Sequence, residues 1–277
     1  MIIGFVGQGA LTEILIKRVI DRFEVKIFPH AGTENPAVSD CDVIVFAEYS
    51  ALGIKDYLKR CGLLVTGPVR ARFVIDQTTV DPDQTRSLAL ELVEFGLSLI
   101  DAPIQCEKVS VFPESSATFC GGSAAAVDAL RPLLETMCPK LIYFGESGSG
   151  HTAYALVSAI AACNRMITYE CAALGFKNGL SIEDMTTVLN RSSGANSATE
   201  HVLPFLADRQ STSDALLSDM VFKLRLVSQL AMRAGTPIVL SNLVADLCQS
   251  ASNQLGSGAL VDSLVGSVES SAGVTFK

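Results

Sequence analysis

Short apolar runs recur through the first half of the chain, separated by longer stretches in which apolar residues return every three or four positions. The runs are Ile2-Ile3-Gly4-Phe5-Val6, then 25–28, 42–46, 73–76 and 97–101, each closed by turn-forming or polar residues, and they predict β-strands. Helical periodicity at 54–61 and 83–95 lies between them. Two further strand patterns, 116–120 and 141–144, flank a helical one at 124–137. Strands alternating with helices predict a mostly parallel, doubly wound sheet. After Gly145-Glu146-Ser147-Gly148-Ser149-Gly150 the pattern changes to helices at 151–178, 182–190, 214–234, 237–254 and 259–267, with a less regular stretch at 198–207 and no convincing strand. Ser181 followed by Glu183-Asp184 reads as a helix start, and Gly179 and Gly194 as stops.

The first strand runs into the first helix through Gly7-Gln8-Gly9-Ala10-Leu11. A glycine at the first bend position permits the tight turn, and one at the second lets the backbone approach a pyrophosphate facing the helix amides. Thr12 stands where a third glycine is usual. The expected fold is therefore α/β: a Rossmann-like, dinucleotide-binding sheet domain over 1–149, then an all-helical domain for substrate and oligomerisation over 150–277. Gly7, Gln8, Gly9, Ala10 and Leu11 are the first candidate cofactor contacts.

Composition narrows the function. A formal charge of −8 and 18% charged residues argue against nucleic-acid and anionic-membrane surfaces and favour a small-molecule enzyme or a protein-binding domain. Eight scattered cysteines show no C-x-x-C spacing and no histidine neighbours, so no metal site is expected and reduced thiols are. The start carries no basic segment followed by an uninterrupted apolar run, so a cytoplasmic location is expected. The apolar segment 153–176 contains Asn164, Arg165 and Glu170, which suits a helix buried in protein better than a membrane span.

Several stations taken in order resemble the β-hydroxyacid dehydrogenase superfamily, which includes 3-hydroxyisobutyrate and 6-phosphogluconate dehydrogenases. They are Gly7-Gln8-Gly9, Asp76-Gln77-Thr78-Thr79-Val80-Asp81-Pro82, Asp101-Ala102-Pro103-Ile104, Cys120-Gly121-Gly122, Gly148-Ser149-Gly150-His151 and Leu189-Asn190-Arg191-Ser192-Ser193-Gly194. The resemblance runs nearly end to end. It implies a nicotinamide cofactor across the sheet domain, a long helix leading into a helical domain, a small-molecule substrate in a cleft between the two, and a homodimer or higher homo-oligomer.

The departures from that pattern bear on chemistry. The position of the family's lysine, four residues after the last glycine of the motif, holds Tyr154, and its asparagine pair is replaced by Val157 and Ser158. A lysine ammonium can hydrogen-bond to and protonate a developing alkoxide; a neutral tyrosine donates one proton without positive charge. Imine reductases, similar to this family in fold, often carry tyrosine or aspartate there. Tyr154 is thus the catalytic candidate, with an aromatic packed on a buried helix face as the alternative. Gln105-Cys106-Glu107 replaces the small residues of the family's substrate loop and disfavours a small anion; Gln105, Cys106, Glu107 and Ser158 are the substrate candidates, Glu107 reading equally as a solvent-facing loop residue. Lys223 lies near the family's second lysine, followed by Leu224 instead of aspartate, and is either a cofactor contact or an ordinary ion-paired lysine. His151 reads as a helix-start residue rather than a base.

Cofactor choice turns on the end of the second strand. Pro29-His30-Ala31-Gly32-Thr33 supplies no acid for the ribose hydroxyls of NAD, while His30 and Thr33 are within reach of a 2′-phosphate, so NADP is favoured over NAD despite the lack of an arginine. An ordinary loop histidine is the other reading of His30. Ala47-Glu48-Tyr49 lies where relatives line the adenosine, and Thr78 and Thr79 match the polar pair near the nicotinamide ribose. The expectation is an NAD(P)-dependent oxidoreductase acting on a carbonyl or hydroxy-acid-like substrate. Imine reduction and a non-catalytic nucleotide-binding relative are the alternatives.

Overall fold

The computed structural model describes residues 1–28, 36–47, 51–65, 70–106, 108–109, 112 and 114–276, with the backbone alone at 36, 51 and 52. The expected contacts His30, Glu48 and Glu107 lie outside the described residues. By internal contacts the chain divides into two compact units, Met1–Tyr154 and Ala155–Lys277.

In the first unit the order is β1 (Ile2–Val6), α1 (Ala10–Val19), β2 (Glu24–Phe28), β3 (Val43–Phe46), α2 (Ala51–Arg60), β4 (Phe73–Asp76), α3 (Pro82–Glu94), β5 (Ser98–Asp101), β6 (Ile104–Gln105), β7 (Ala117–Gly121), α4 (Ala124–Met137) and β8 (Lys140–Gly145), ending in the start of α5 (Ser149–Lys177). The strands form one eight-stranded sheet in the order β2-β1-β3-β4-β5-β7-β6, with β8 beside β7. The first five are parallel; β7 then runs antiparallel to β5 and β6 and parallel to β8, which makes the sheet mixed. The two-residue β6 is too short to leave a periodic trace in the sequence.

Both faces of the sheet are covered, which explains why β3 reads as an unbroken apolar run. Val43 and Val45 point into a core shared with Leu15 and Val19 of α1 and Leu130 and Leu134 of α4. Ile44 and Phe46 point to the other side, onto Ile54 and Leu58 of α2 and Leu92 of α3. The strand order reverses between β1 and β3, so the carboxyl ends of these two strands, Gly7 and Ala47, mark the switch point where ligands bind open α/β sheets.

The second unit is helical: the remainder of α5, then α6 (Ile182–Leu189), α7 (Ser197–Asp208), α8 (Leu217–Ala234), α9 (Val239–Leu255) and α10 (Leu264–Ala272). Ser181 caps α6 by accepting from the Asp184 amide at 3.0 Å. The less regular stretch around 198–207 is a helix after all: Asn196 and Thr199 form a capping box, and the buried Val202, Leu203 and Leu206 hold it through Pro204. The last helix starts later than the periodicity predicts. Asp262 is tied at Oδ2 by the amides of Thr212 (2.7 Å) and Ser213 (3.3 Å), which keeps Val261–Ser263 a single tight turn before α10 begins.

Of the polar residues within the apolar helix α5, Glu170 is exposed and Arg165 is absorbed here. Arg165 donates to Asp262 Oδ1 at 2.7 Å and to the buried Tyr169 hydroxyl at 3.1 Å. Among the described residues no helix is long and apolar enough to cross a membrane. Burial alone would raise the Asp262 pKa, but the hydroxyl and amide of Thr212, with Arg165, outweigh it and hold the carboxyl below its ordinary 3.8. A carboxyl so lowered stabilises the fold fully above that value and loses the contribution as pH falls through the lowered pKa. Asp262→Asn is expected to cost about 3 kcal/mol near neutral pH, because Arg165 is left buried without its counter-charge. In urea melts the gap between Asp262→Asn and the parent should narrow only below pH 4; a pH-independent gap would exclude the ion pair as its cause.

Candidate functional site

The glycine turn is shaped as its sequence implies. Gly7 has φ 138° and Gly9 has φ 141°, both in the region that favours glycine. A Cβ on Gly7 would overlap the carbonyl oxygen of Ala47, so the first glycine is required by the close approach of the turn to the end of β3. Thr12, in place of a third glycine, is buried and donates from Oγ1 to that same Ala47 oxygen at 3.3 Å. The substitution has turned a packing position into a latch between α1 and β3. Gly9 is the residue before α1 and offers no side-chain cap, while Gln8 and Ala10 are exposed and Leu11 packs against the core. An uncapped helix start behind two glycines fits a pyrophosphate group.

A second cluster draws together four of the motifs. Asp101, at the end of β5, is fully buried, and its carboxylate accepts from the Gly148 amide (2.8 Å, Oδ1) and the His151 amide (2.9 Å, Oδ2) at the start of α5. A negative charge at a helix N-terminus is favoured by the helix dipole and by the otherwise unpaired amides. The space around it admits no side chains. A Cβ on Gly121 would come within 2.6 Å of Asp101 Oδ1, and one on Gly150 would overlap the Phe119 carbonyl and lie 2.9 Å from Asp101 Oδ2. His151 is 2% exposed; its Nε2 lies 3.0 Å from the Thr78 carbonyl and its Nδ1 2.8 Å from the Thr85 hydroxyl of α3. Asp101, Thr85, Gly121 and Gly150 were not candidates from sequence. Glycines at 121, 148 and 150 and one aspartate closing a strand were the available signal.

The other predicted residues fall as follows. Thr78 is buried, its hydroxyl donating to Asp76 Oδ1 at 2.6 Å, and Thr79 beside it is half-buried. Tyr154 is half-buried on α5, packed on Ala117, Phe119 and Ala153. Ser158 lies one turn further along the same helix and is also half-buried. Gln105 ends β6 opposite Ala117, and Cys106 packs against the core beside α1 and α4 with Phe112, over whose ring the Arg18 guanidinium lies at 5.0 Å. Ala47 is buried in the sheet core, and Lys223 is half-buried on α8 in the helical unit. Among the described residues no group of histidine, cysteine, aspartate and glutamate could hold a metal ion.

A mixed, mainly parallel sheet with a glycine turn at its switch point, followed by a helical unit, has the architecture of two-domain dinucleotide-binding proteins. Residues 3–145 match the family described as the NAD binding domain of 6-phosphogluconate dehydrogenase, and residues 148–267 match that described as NAD-binding of NADP-dependent 3-hydroxyisobutyrate dehydrogenase. The chain belongs to this β-hydroxyacid dehydrogenase superfamily. It is 28% identical over 220 residues, 69% of its length, to a probable mitochondrial 3-hydroxyisobutyrate dehydrogenase of Arabidopsis thaliana. It is also 28% identical over 193 residues, again 69% of its length, to an NAD-dependent L-serine dehydrogenase of Pseudomonas aeruginosa. These matches span 63% and 64% of the two relatives, less than two thirds of either. In fold it is similar to a Mycobacterium tuberculosis 3-hydroxyisobutyrate dehydrogenase solved with L-serine (TM-score 0.82, 20% identity, 96% of this chain and 98% of that one). A Streptomyces aurantiacus imine reductase is more distant (TM-score 0.58, 18% identity, 97% and 99%).

Gly7→Ala tests the turn. The new methyl meets the Ala47 carbonyl in a backbone region that L-residues avoid, so a loss of at least about 2 kcal/mol is expected in urea unfolding. A loss under about 0.5 kcal/mol, the range of an ordinary surface change, would mean that the turn is not packed as described.

Proposed function

We propose that this protein is an NAD(P)H-dependent oxidoreductase that transfers hydride to or from a small carbonyl or hydroxy-acid-like substrate, with Tyr154 in place of the family's lysine. The observation that carries the reading is the uncapped start of α1 behind Gly7 and Gly9 at the switch point of the sheet. Gly7, Gln8, Gly9, Ala10 and Leu11 would hold the pyrophosphate. Thr79, following the rigid Asp76–Thr78 turn, would face the ribose at the nicotinamide end. When bound, the dinucleotide supplies or accepts the hydride. The lack of an acid in Pro29-His30-Ala31-Gly32-Thr33, directly after β2, favours NADP over NAD.

Tyr154 is suited to a single task. It packs against the cluster of Ala117, Phe119 and Ala153, and its phenol would donate a proton to an oxygen or nitrogen that gains electrons. It brings no positive charge, so a substrate that carries its own, such as an iminium, suits the site as well as a carbonyl does. That observation keeps imine reduction as the second reading. Ser158, on the same helix face, and Gln105 and Cys106 would contact the substrate, and Lys223 the cofactor.

The reading extends to assembly. In the helical unit α5 exposes Leu156, Ile160, Ile167 and Leu174 and α9 exposes Val239, Leu240 and Leu243, each more than half accessible. So much apolar surface supports a homodimer, in which a second copy covers it. Light scattering should then give about twice the chain mass of 29.3 kDa, and a monomer at micromolar concentration would refute this arrangement.

Oxidation of NADPH in the presence of aldehydes, ketoacids and cyclic imines tests the chemistry. With whichever substrate turns over, Tyr154→Phe should lower kcat by about 100-fold, the contribution of a positioned general acid. Unchanged turnover would remove Tyr154 from the mechanism. Cofactor binding with no turnover of any of the three classes would favour a non-catalytic relative.

A further inference from the structure

We infer that His151 is a positioning residue whose ring fixes the first turn of α5, and with it Tyr154, against the Thr78–Thr79 turn that follows β4. The inference rests on the reading of Tyr154 as proton donor. Starting the helix requires only main chain: the Asp101 carboxylate engages the amides of Gly148 and His151, which any residue at 151 would supply. The imidazole does something else. A backbone carbonyl only accepts, so the Nε2 that lies 3.0 Å from Thr78 O carries the hydrogen, and in the neutral ring Nδ1, 3.9 Å from Asp101 Oδ2, accepts from the Thr85 hydroxyl at 2.8 Å. One ring thus joins three elements: the turn after β4, α3 and α5. Being 2% exposed, it exchanges neither bond for water at low cost.

Two consequences reach the proposed chemistry. Tyr154 follows His151 by three positions on the helix and therefore projects from the same face, so rotation of the first turn moves both side chains together. The Thr78 carbonyl belongs to the peptide that leads into Thr79, so the same ring sets the position of the turn read as the nicotinamide end. The protein holds proton donor and cofactor turn in one frame through a residue that touches neither reactant.

The test uses the 277-residue chain with tyrosine labelled by ¹³C at Cζ. Its five tyrosines give five signals, and Tyr154→Phe identifies that of Tyr154 by its loss. His151→Leu removes both the donor to Thr78 and the acceptor for Thr85; Thr85→Val removes only the hydroxyl and keeps the shape. Both variants are expected to unfold cooperatively and to bind NADPH within about threefold of the parent, since the glycine turn is untouched. They should shift the Tyr154 signal, suppress its response to NADPH and lower kcat about tenfold at unchanged KM, as misplacement of a reacting group does. An unmoved Tyr154 signal and unaltered kcat in both variants, with reduced stability alone, would overturn the inference. If Tyr154→Phe itself leaves turnover intact, the proton-donor reading fails separately, and the Tyr154 signal still decides whether His151 positions that side chain.

Discussion

One buried carboxylate organises the first unit. Asp101 lies at the end of β5 with no exposed surface, and the two amides that open the 29-residue helix α5 point at it. A lone charge in such a place would be prohibitive, and it is tolerated because the helix terminus supplies donors and a favourable dipole together. The arrangement dictates its neighbours. Gly121 and Gly150 are glycines because a methyl at either would strike the carboxylate or the β7 backbone, so the end of β7 and the start of α5 are held in close contact. Tyr154, His151 and the turn after β4 inherit their places from that contact.

The glycine turn shows a comparable economy. Its first glycine answers to the Ala47 carbonyl, and Thr12 donates to the same oxygen. What the family pattern treats as a position for close helix–strand packing is here a hydrogen bond across the switch point. The turn is therefore held from beneath, and Gln8 and Ala10 lie exposed on its other side. Phosphate recognition by main chain needs little from side chains, so the proposed site would tolerate a threonine in the motif.

Much of the architecture was legible because its elements are simple in periodicity. The unbroken apolar run at Val43–Phe46 announces a strand covered on both faces, and the helical pattern at 124–137 coincides with α4. The antiparallel turn of the sheet was not legible. It depends on a single pairing of Asp101 with Gly121 and on the two-residue β6, neither of which has a repeat to detect. At the site, residue types pointed to Gly7 and Gly9 through φ, a local property. The convergence of Asp101, Thr85 and His151 required contacts spanning up to 66 positions, which no local pattern encodes. Tyr154 was singled out only by its place in a motif, since a half-buried helix tyrosine has no chemical signature of its own.

The account stands on the first turn of α1 being an anion site for a dinucleotide. Calorimetric titration of the purified protein with NADPH and, separately, with NADH measures this without reference to any substrate. Micromolar binding of NADPH, tighter than that of NADH, is the predicted result, because Pro29-His30-Ala31-Gly32-Thr33, directly after β2, holds no acid to select the ribose hydroxyls. Absence of binding by both dinucleotides would contradict the account, leaving a dehydrogenase fold whose glycine turn serves packing alone.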